Sequence, residues 1–226
     1  MNDLDLFVAD LREMLTAEAD PERAAGMRAY LRDRFVFFGI GTEPRRRLLR
    51  TFVARRGGWP KVEQAKELSR MLWSQPEREM HYCGQELLEK RLRLLGPGDL
   101  ALIEELLTHQ AWWDTVDVLA TKLASDILKR HRDQLVHATT RWLDSGDLWL
   151  QRTAILCQLK WKRETDTAVL VTAIERTRES PEFFLRKAIG WALREYARTD
   201  PDWVRDYVDR TALSPLSRRE ALKHLG

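Results

Sequence analysis

Helical periodicity along the whole chain is the feature that most limits what it can fold into. Apolar residues recur at intervals of three and four from one end to the other, and no stretch of alternating β-branched residues bounded by turns interrupts them. Proline, glycine and capping residues divide this pattern, and helices are expected to begin near Pro21, Thr42, Pro60, Pro76, Asp99, Asp114, Asp147, Pro181, Pro201 and Pro215. The sequence therefore predicts an all-α protein of about a dozen short helices.

The overall composition predicts a single domain. A chain of 226 residues can bury a sizeable core, and nothing in its composition marks a boundary, so one domain over residues 1–226 is expected. The mean hydropathy of -0.46 and the absence of a long apolar run predict no membrane span. Acidic residues stand where a signal peptide needs basic ones, so a cytoplasmic protein is expected. Cys83 and Cys157 lie in apolar helical patterns and are expected to be buried, reduced thiols.

The arginines are concentrated in one segment. Between Arg28 and Arg56 the chain carries nine arginines against two acidic residues, on one helix expected to run from Pro21 to near Gly39 and on a second that ends near Gly57. One face there should be strongly positive, although the formal net charge of the chain is only +3. Arginine suits bidentate contact with phosphate. The alternative is an ordinary solvated helical face.

Three large residues recur with one period. Trp113, Arg152 and Trp191 are separated by 39 residues and by 39 again, close to the roughly 40-residue period of HEAT-type helix pairs. Each falls in the second helix of an expected pair, so stacking the pairs would align the three on one surface. The inner wall of such a solenoid is the usual binding surface. We therefore expect a curved right-handed solenoid of HEAT-like antiparallel helix pairs, with a concave cationic groove that holds a duplex.

The stretch from Trp112 to Asp117 combines two indoles and two carboxylates directly before an apolar helix. Asp114 is expected to cap that helix, which places Asp117 at its third position. Trp113 and Asp117 are four residues apart and can share one helical face, where a carboxylate beside an electron-rich ring suits a cationic or oxocarbenium-like group. The alternative is structural, with a tryptophan that staples the helix start and an acid that complements the helix dipole.

Several sequence blocks follow one another along nearly the whole chain. They are Phe37-Phe38-Gly39-Ile40 with Arg45-Arg46, Pro76-Glu77-Arg78-Glu79, Trp112-Trp113-Asp114-Thr115-Val116-Asp117, Trp149-Leu150-Gln151-Arg152, Phe183-Phe184-Leu185-Arg186, Gly190-Trp191-Ala192 and Leu216-Ser217-Arg218-Arg219. In this order the blocks resemble the AlkD-type DNA alkylation-repair glycosylases, which are built from HEAT-like repeats. One block alone is weak, but the ordered set is specific.

The resemblance implies a set of site residues. The lesion-facing Trp, Asp and Trp of that family correspond here to Trp113, Asp117 and Trp191, and an arginine on the DNA backbone corresponds to Arg152. Arg152 lies in an apolar helix, so its alternative is a charge that is paired inside the protein. For Trp191, which lies in an apolar run, the alternative is a core position. Gly41 departs from the family, because a relative has a polar side chain there that reaches toward the duplex. Further DNA-contacting positions expected from the resemblance and from the arginine cluster are Tyr30, Lys160, Arg194, Arg198, Arg45 and Arg46.

The resemblance also implies an activity. Members of the family are monofunctional DNA glycosylases that release cationic N3- and N7-alkylated purines, such as 3-methyladenine and 7-methylguanine, without requiring base flipping. A cationic base leaves without a general acid, so the enzyme has to stabilise an oxocarbenium-like sugar. The carboxylate of Asp117 and the indole faces would do so, and Asp117 could also orient the attacking water. No candidate lysine nucleophile stands beside the aromatic pair, so lyase activity is not expected.

Two other classes of function stay open from the residues. A non-catalytic DNA-binding module would share the scaffold but lack the Trp, Asp and Trp set. A protein-binding HEAT scaffold would not explain the arginine cluster. The five histidines show no ligand spacing, so neither a metal nor another cofactor is expected. The expected partner is double-stranded DNA with alkylated purines, bound by a monomer in the cytoplasm and associated with the nucleoid through DNA.

Overall fold

The computed structural model describes residues 2–225 as helices joined by short turns and loops. Within this range no β-strand occurs, apart from a single bridge between Val36 and Glu77. The chain divides into two compact units, the first ending at Leu95 and the second beginning at Gly96. The all-α prediction is confirmed, whereas one domain over residues 1–226 stays a prediction. No helix in the described range is long and apolar enough to cross a membrane.

The first unit packs its helices around one apolar core. Buried side chains from α1, α3, α4 and α5 meet there, including Leu11, Leu49, Leu68 and Leu87. A 3-10 turn at Leu92–Leu94 follows the last helix of the unit. The α-helices are α1 (Asp3–Ala17), α2 (Pro21–Tyr30), α3 (Thr42–Arg55), α4 (Val62–Trp73) and α5 (Arg78–Lys90).

The second unit contains the remaining helices. They are α6 (Leu100–Thr108), α7 (Trp113–Val118), α8 (Ser125–Arg130), α9 (Leu135–Asp144), α10 (Leu148–Leu156), α11 (Thr167–Thr177), α12 (Phe183–Tyr196), α13 (Pro201–Arg210) and α14 (Pro215–Leu222). A π-helical segment joins α7 to α8, and 3-10 turns precede α6, α9 and α11; their bounds are Leu119–Ala124, Pro97–Asp99, Arg132–Gln134 and Lys162–Glu164.

Helix packing orders the second unit into rows. In the first row, α10 packs against α7 on one side and α12 on the other, and α12 packs against α14. In the second row, α9 packs against α11, and both contact α10. Trp113, Arg152 and Trp191 lie on α7, α10 and α12. The three residues with the 39-residue spacing are therefore on three successive helices of the first row, as expected for stacked helix pairs.

Side-chain caps explain why many helices begin where the sequence predicts. A cap residue accepts a hydrogen bond from a backbone N–H of the first turn, which would otherwise lack a partner. Three of the caps are followed by a proline at the first helical position, where the missing N–H costs nothing. The caps at predicted starts are Asp20 of α2, Asp147 of α10, Asp200 of α13 and Ser214 of α14. Asn2 and Asp166 cap α1 and α11 in the same way.

The end of α2 differs from the prediction. The helix ends at Tyr30 rather than near Gly39, and residues 31–41 form a connecting segment. Gly39 has a φ of +94° and lies against the backbone of Asp20, where a Cβ would be 2.0 Å from the carbonyl oxygen. Only glycine fits this close approach.

The carboxylate of Glu79 holds this segment in place. It accepts hydrogen bonds from the backbone N–H groups of Phe38 at 3.1 Å, Gly39 at 2.9 Å and Ile40 at 3.0 Å. The N–H of Arg78 also donates to the carbonyl of Val36 at 2.9 Å. These partners lie about 40 residues away along the chain, so the local helical pattern of residues 31–39 gives no sign of them.

Glu79→Gln is expected to remove a pH dependence of stability. Burial raises the pKa of the Glu79 carboxyl, and the backbone amide donors oppose this rise. The folded protein therefore holds this proton more tightly than the unfolded chain does. The wild type should lose free energy of unfolding as the pH rises from about 4 into the raised range, whereas the variant lacks this titration.

Urea unfolding of both proteins across this pH range measures the effect. Glu43→Gln, a substitution at an exposed acid in the first turn of α3, is the matched control and should follow the wild type. A difference between wild type and Glu79→Gln that does not change with pH would contradict the expectation.

The helices α12 and α14 approach closely at Gly190. A Cβ at this position would lie 2.5 Å from the Cβ of Glu220 and 2.9 Å from the carbonyl oxygen of Ser217. Across the same interface, the hydroxyl of Ser217 donates to the carbonyl of Arg186 at 2.9 Å. The missing side chain thus sets the distance between the two helices, and with it the position of Trp191, the next residue.

Gly190→Ala is expected to lower the free energy of unfolding by about 1–3 kcal/mol, because the added methyl group overlaps a backbone oxygen. Gly26→Ala is the matched control. Gly26 lies inside α2, and no atom comes within 4 Å of the place that a methyl group would occupy, so alanine there should raise stability by about 0.5–1 kcal/mol. Urea unfolding measures both changes, and effects of the same sign would refute this account of the packing.

Candidate functional site

The stretch from Trp112 to Asp117 opens a long helical segment. Trp112 is extended, with φ of -155° and ψ of 161°, and its carbonyl accepts the N–H of Val116 at 3.0 Å. The helix α7 therefore begins at Trp113. Asp114 is not the predicted cap; it lies in the first turn, and Asp117 is the fifth helical residue rather than the third. The spacing of Trp113 and Asp117 within one helix is as predicted, which makes them neighbours on its surface.

Asp117 and Arg152 form a bidentate ion pair. Nε of Arg152 donates to one carboxylate oxygen at 2.8 Å, and Nη2 donates to the other at 3.0 Å. Nη1 donates to the backbone carbonyl of Phe184. The side chain of Arg152 is 5% exposed, whereas 19% of the Asp117 side chain is exposed. One guanidinium thus links α7, α10 and the start of α12, and it holds a carboxylate that still reaches the surface.

Three aromatic rings pack together beside this ion pair. The ring centres of Trp112 and Trp149 are 5.5 Å apart, and Phe184 lies 5.0 Å from each of them. Both indoles are buried. The guanidinium carbon of Arg152 lies 5.9 Å from the ring centre of Phe184. This cluster gives the charged pair a rigid, apolar support, in which its electrostatic attraction is stronger than in water.

A π-helical segment, Leu119–Ala124, starts two residues after Asp117. The hydroxyl of Thr121 donates to the carbonyl of Asp117 at 2.6 Å, within this wider turn. Such turns inside α-helices are rare and occur frequently at functional sites. Asp117 therefore stands just before a change in helical register, and that change decides which face the rest of the helix presents.

Trp113 and Trp191 are both partly exposed. They lie on α7 and α12, the helices on either side of α10. Since Trp191 is not fully buried, its indole is not simply a core side chain. The structure thus carries the predicted set on neighbouring helices of one row, with Arg152 on the middle helix. The catalytic roles of Trp113, Asp117 and Trp191 stay predictions.

The predicted DNA-contacting residues differ in exposure. Tyr30 is 72% exposed at the end of α2, and Lys160 and Arg198 are exposed in the turns after α10 and α12. Arg46 is partly exposed and pairs with Glu43 at 3.2 Å. Arg194 pairs with Glu220, whose pKa is lowered chiefly by a hydrogen bond from Lys187 and further by Arg194. Their contacts with DNA stay predictions.

Arg45 requires a correction. It is 5% exposed, pairs with Glu86 at 3.3 Å and lies over the ring of Tyr82 at 5.4 Å. The expected surface position of Arg45 is therefore wrong, and its contact with DNA stays a prediction. The reason for its burial is helical geometry, because Arg45 is four residues before the buried Leu49 and shares its inward face. The exposed arginines of α3 are Arg47, Arg50 and Arg55.

Sequence reasoning missed the partners of the predicted residues. It assigned Arg152 to a DNA phosphate, whereas the structure gives its guanidinium the carboxylate of Asp117 and the carbonyl of Phe184. Trp149 carries a usable signal, because it is three residues before Arg152 and shares its helical face. Phe184 is 32 residues away along the chain, and no spacing rule reveals a contact with a backbone carbonyl.

Among residues 2–225, no three histidine, cysteine or acidic side chains lie close enough together to hold a metal ion. Both cysteines are buried, as predicted. Burial raises the pKa of Cys83 to about 11 and that of Cys157 to about 12. Both thiols are therefore neutral and unreactive near neutral pH.

Comparisons with known proteins agree with this fold. The sequence profile of a family described as a DNA alkylation repair enzyme matches residues 11–225. A solved structure described as a predicted DNA alkylation repair enzyme from Enterococcus faecalis matches with a TM-score of 0.85 and 32% sequence identity, over 92% of this chain and 97% of that one. No curated protein matches. Both matches carry a description as a DNA alkylation repair enzyme, predicted in the case of the solved structure, and the solved structure shares the all-α fold. The chain belongs to the family of DNA alkylation repair enzymes.

A double-mutant cycle on Asp117 and Arg152 is expected to show strong coupling. Each single alanine variant leaves a poorly hydrated charge without its partner, and each should cost about 3 kcal/mol or more in the free energy of unfolding. The double variant removes both charges, so the coupling energy should be about 1–3 kcal/mol.

The exposed pair of Arg176 and Asp144 is the matched control, with a coupling of about 1 kcal/mol or less. Denaturant unfolding of the two cycles measures both values. Coupling no larger than in the control pair would show that the ion pair does not hold the site together.

Proposed function

We propose that this protein is a monofunctional DNA glycosylase that hydrolyses the N-glycosidic bond of cationic N3- and N7-alkylated purines in duplex DNA. Its products are free bases such as 3-methyladenine and 7-methylguanine. The observation that carries the proposal is the carboxylate of Asp117, which is held in two hydrogen bonds by Arg152 and stands four residues after Trp113. In this proposal the protein acts as a monomer, in the cytoplasm, at the first step of base excision repair.

The chemistry of the leaving group decides what the site has to supply. An alkylated purine that is already cationic has a weak glycosidic bond and leaves as a neutral base, without protonation. The barrier therefore lies at the sugar, where positive charge develops as in other glycoside hydrolyses. A carboxylate serves this step, because it is strongly attracted to the transition state and only weakly to the neutral sugar.

The attraction between the carboxylate and the developing positive charge is large enough to change the reaction rate. A carboxylate about 4 Å from a full positive charge contributes roughly 4 kcal/mol at an effective dielectric of about 20. This corresponds to about three decades in rate. Asp117 combines a negative charge with partial exposure and a fixed position.

Arg152 determines both the position and the strength of this carboxylate. Bidentate pairing fixes the carboxylate plane and occupies two of about four lone-pair sites, so the others stay available for the sugar or for an attacking water. The positive charge of Arg152 also offsets part of the attraction, so the net stabilisation is below the figure for an isolated carboxylate. Preorganisation compensates, because Asp117 does not have to be reoriented as the bond breaks.

The two partly exposed indoles fit the same step. An indole face attracts a nearby cation by about 0.5–2 kcal/mol and excludes water from the reacting bond. Trp113 and Trp191 lie on the helices that flank α10. In the proposal their rings contact the sugar of the damaged nucleotide and add to the effect of Asp117.

A site of this kind recognises the sugar rather than the base. Discrimination then follows from the lability of cationic adducts, so neutral adducts such as O6-alkylguanine should be poor substrates. Because no pocket has to enclose the base, rotation of the nucleotide out of the helix is not required. The hydrogen-bond partners described above for the side chains of Asp117 and Arg152 include no lysine. Because a lysine amine is the group that forms a covalent Schiff base, we propose hydrolysis without a covalent intermediate or strand cleavage.

One observation favours a second candidate, a DNA-binding module without catalysis. Both oxygens of Asp117 accept hydrogen bonds from Arg152, and this geometry also suits a purely structural clamp between α7 and α10. Such a module would bind duplex DNA with a strong salt dependence and would release no base.

Release of methylated bases by the wild type and by Asp117→Asn distinguishes the two. The asparagine keeps an oxygen acceptor for Arg152 but removes the negative charge. We expect release of 3-methyladenine and 7-methylguanine to slow by about a hundredfold to a thousandfold, with little change in affinity for DNA. The product strand should keep an intact abasic site.

Arg176→Ala, which removes an exposed charge on α11, is the control and should release bases at the wild-type rate. No release by the wild type would overturn the glycosylase proposal and favour the binding module. Equal release by the wild type and Asp117→Asn, with both proteins folded, would leave the activity but remove Asp117 from it.

A further inference from the structure

The turn that follows α10 is built to be rigid. Glu164 accepts a salt bridge from Lys129 at 2.7 Å and another from Arg132 at 3.2 Å. Arg132 also donates to the backbone carbonyl of Glu164 at 2.8 Å and lies 4.2 Å from the ring centre of Trp161. The buried indole of Trp161 donates to Ser125 at 2.8 Å. Both ends of the turn at residues 160–164 are thus tied to α8 and to the 3-10 turn before α9.

A second pair of hydrogen bonds closes the base of this turn. The amide nitrogen of the Gln158 side chain donates to the carbonyl of Asp166 at 3.1 Å, and the backbone N–H of Asp166 donates back to Gln158 at 2.7 Å. Gln158 is buried. The chain therefore leaves α10 and enters α11 through fixed points, and the residues between them have little conformational freedom.

Lys162 adopts a backbone conformation that costs energy. Its φ is +57°, in the left-handed region that glycine enters freely and that other residues rarely occupy. Left-handed residues with a large side chain persist where the surrounding structure fixes them, and they occur preferentially at binding sites. At this position a glycine would relieve the backbone, but it would not provide a cation.

The turn presents three cations that the protein leaves unpaired. Lys160, Lys162 and Arg163 are exposed, and within residues 2–225 their side chains form no salt bridge. The acid of the turn, Glu164, is already neutralised, and the hydrogen bond from Lys129 is the main reason that its pKa is lowered. We call Lys160, Lys162 and Arg163 the basic turn.

The basic turn lies beside the end of the helix that carries Trp191. Lys162 and Arg198 line the same surface pocket, together with Tyr196 and Thr199 from the end of α12. Arg198 itself is 3.8 Å from Glu195. Arg198 is seven residues after Trp191 in the chain, just beyond the end of α12 at Tyr196.

We propose that Lys162 and Arg163 of the basic turn, next to Lys160, which the family resemblance already implies as a DNA contact, bind phosphates of the duplex whose damaged nucleotide lies at Asp117. This inference rests on the proposed function in taking duplex DNA as the ligand. Lys162 and Arg163 then contribute affinity without reading sequence or lesion. Their contribution to binding is the same for damaged and undamaged DNA, because a phosphate contact does not involve the base.

Lys162→Gly provides a sharp test, because it removes the cation from a position whose backbone suits glycine. The thermal unfolding midpoint should stay unchanged. Affinity for an undamaged duplex should fall about threefold to tenfold at low salt, and the slope of log affinity against log salt should become shallower by about 0.9. Arg163→Ala should give the same change, and the double variant should show the sum of the two slope changes.

Arg176→Ala removes the same charge from α11 in the second row and is the control for net charge. On methylated DNA, Lys162→Gly should raise KM and leave kcat unchanged. Slopes and affinities for Lys162→Gly and Arg163→Ala that match the control would overturn the basic turn as a phosphate site. A fall in kcat at saturating DNA would also overturn it, since the residue would then act on the chemical step.

The two proposals fail in distinguishable ways. If no protein releases bases but the slopes become shallower as expected, the glycosylase proposal fails and the phosphate site stands. If bases are released and the slopes do not change, the phosphate site fails and the glycosylase proposal stands.

Discussion

The ion pair between Arg152 and Asp117 is the interaction on which the first row of the second unit depends. Arg152 as a whole is 4% exposed, and a buried charge without partners costs several kcal/mol. Asp117 supplies the opposite charge, and Phe184 supplies a carbonyl. Because the donors of arginine form a rigid planar fork, one side chain sets the mutual positions of α7, α10 and α12. The placement of the carboxylate is therefore a consequence of how the row packs, and any change that shifts one helix shifts the candidate site as well.

The two consecutive tryptophans at the start of α7 differ, because one packs inside the protein and the other is partly exposed. Trp112 is 8% exposed and packs edge-on against Trp149 and Phe184, whereas Trp113 is partly exposed. Trp112 has an extended backbone and lies just before the helix that begins at Trp113. On the far side of the row, Gly190 lets α14 approach α12 and thereby fixes the helix that carries the second partly exposed indole. The small Gly190 and the large Trp112 thus both help to fix the helices that carry the partly exposed indoles.

Much of this arrangement is predictable from sequence, and the errors share one cause. Predictions from the local sequence succeed where local hydrogen bonds determine the structure. An example is the cap Asp20, whose side chain accepts a hydrogen bond from the backbone N–H three residues later. They fail where a distant group decides. The helix α2 stops at Tyr30, in front of a segment that Glu79 holds from about 40 residues away. The sequence alone suggests that Arg45 is a surface cation, but in the structure it pairs with Glu86. Trp113 and Arg152 are candidates because of their 39-residue spacing and the family resemblance, and Asp117 is one because of its spacing from Trp113 and the resemblance. The contact between Asp117 and Arg152 does not follow from either.

The net charge of this protein does not indicate where its surface would attract a polyanion. The formal net charge is only +3, because acidic residues nearly equal basic ones in number. Many of these charges lie in pairs, and a pair such as Lys129 and Glu164 has little field beyond a screening length of about 8 Å. A phosphate is attracted mainly by the cationic side chains that form no ion pair, and the backbone geometry decides where these side chains lie. In the turn after α10, the single acid is occupied by two neighbouring cations, and the left-handed backbone of Lys162 is held by contacts on both sides. The result is a local positive charge of fixed position, which a count of residues does not reveal and which a flexible lysine tail of the same charge would not provide.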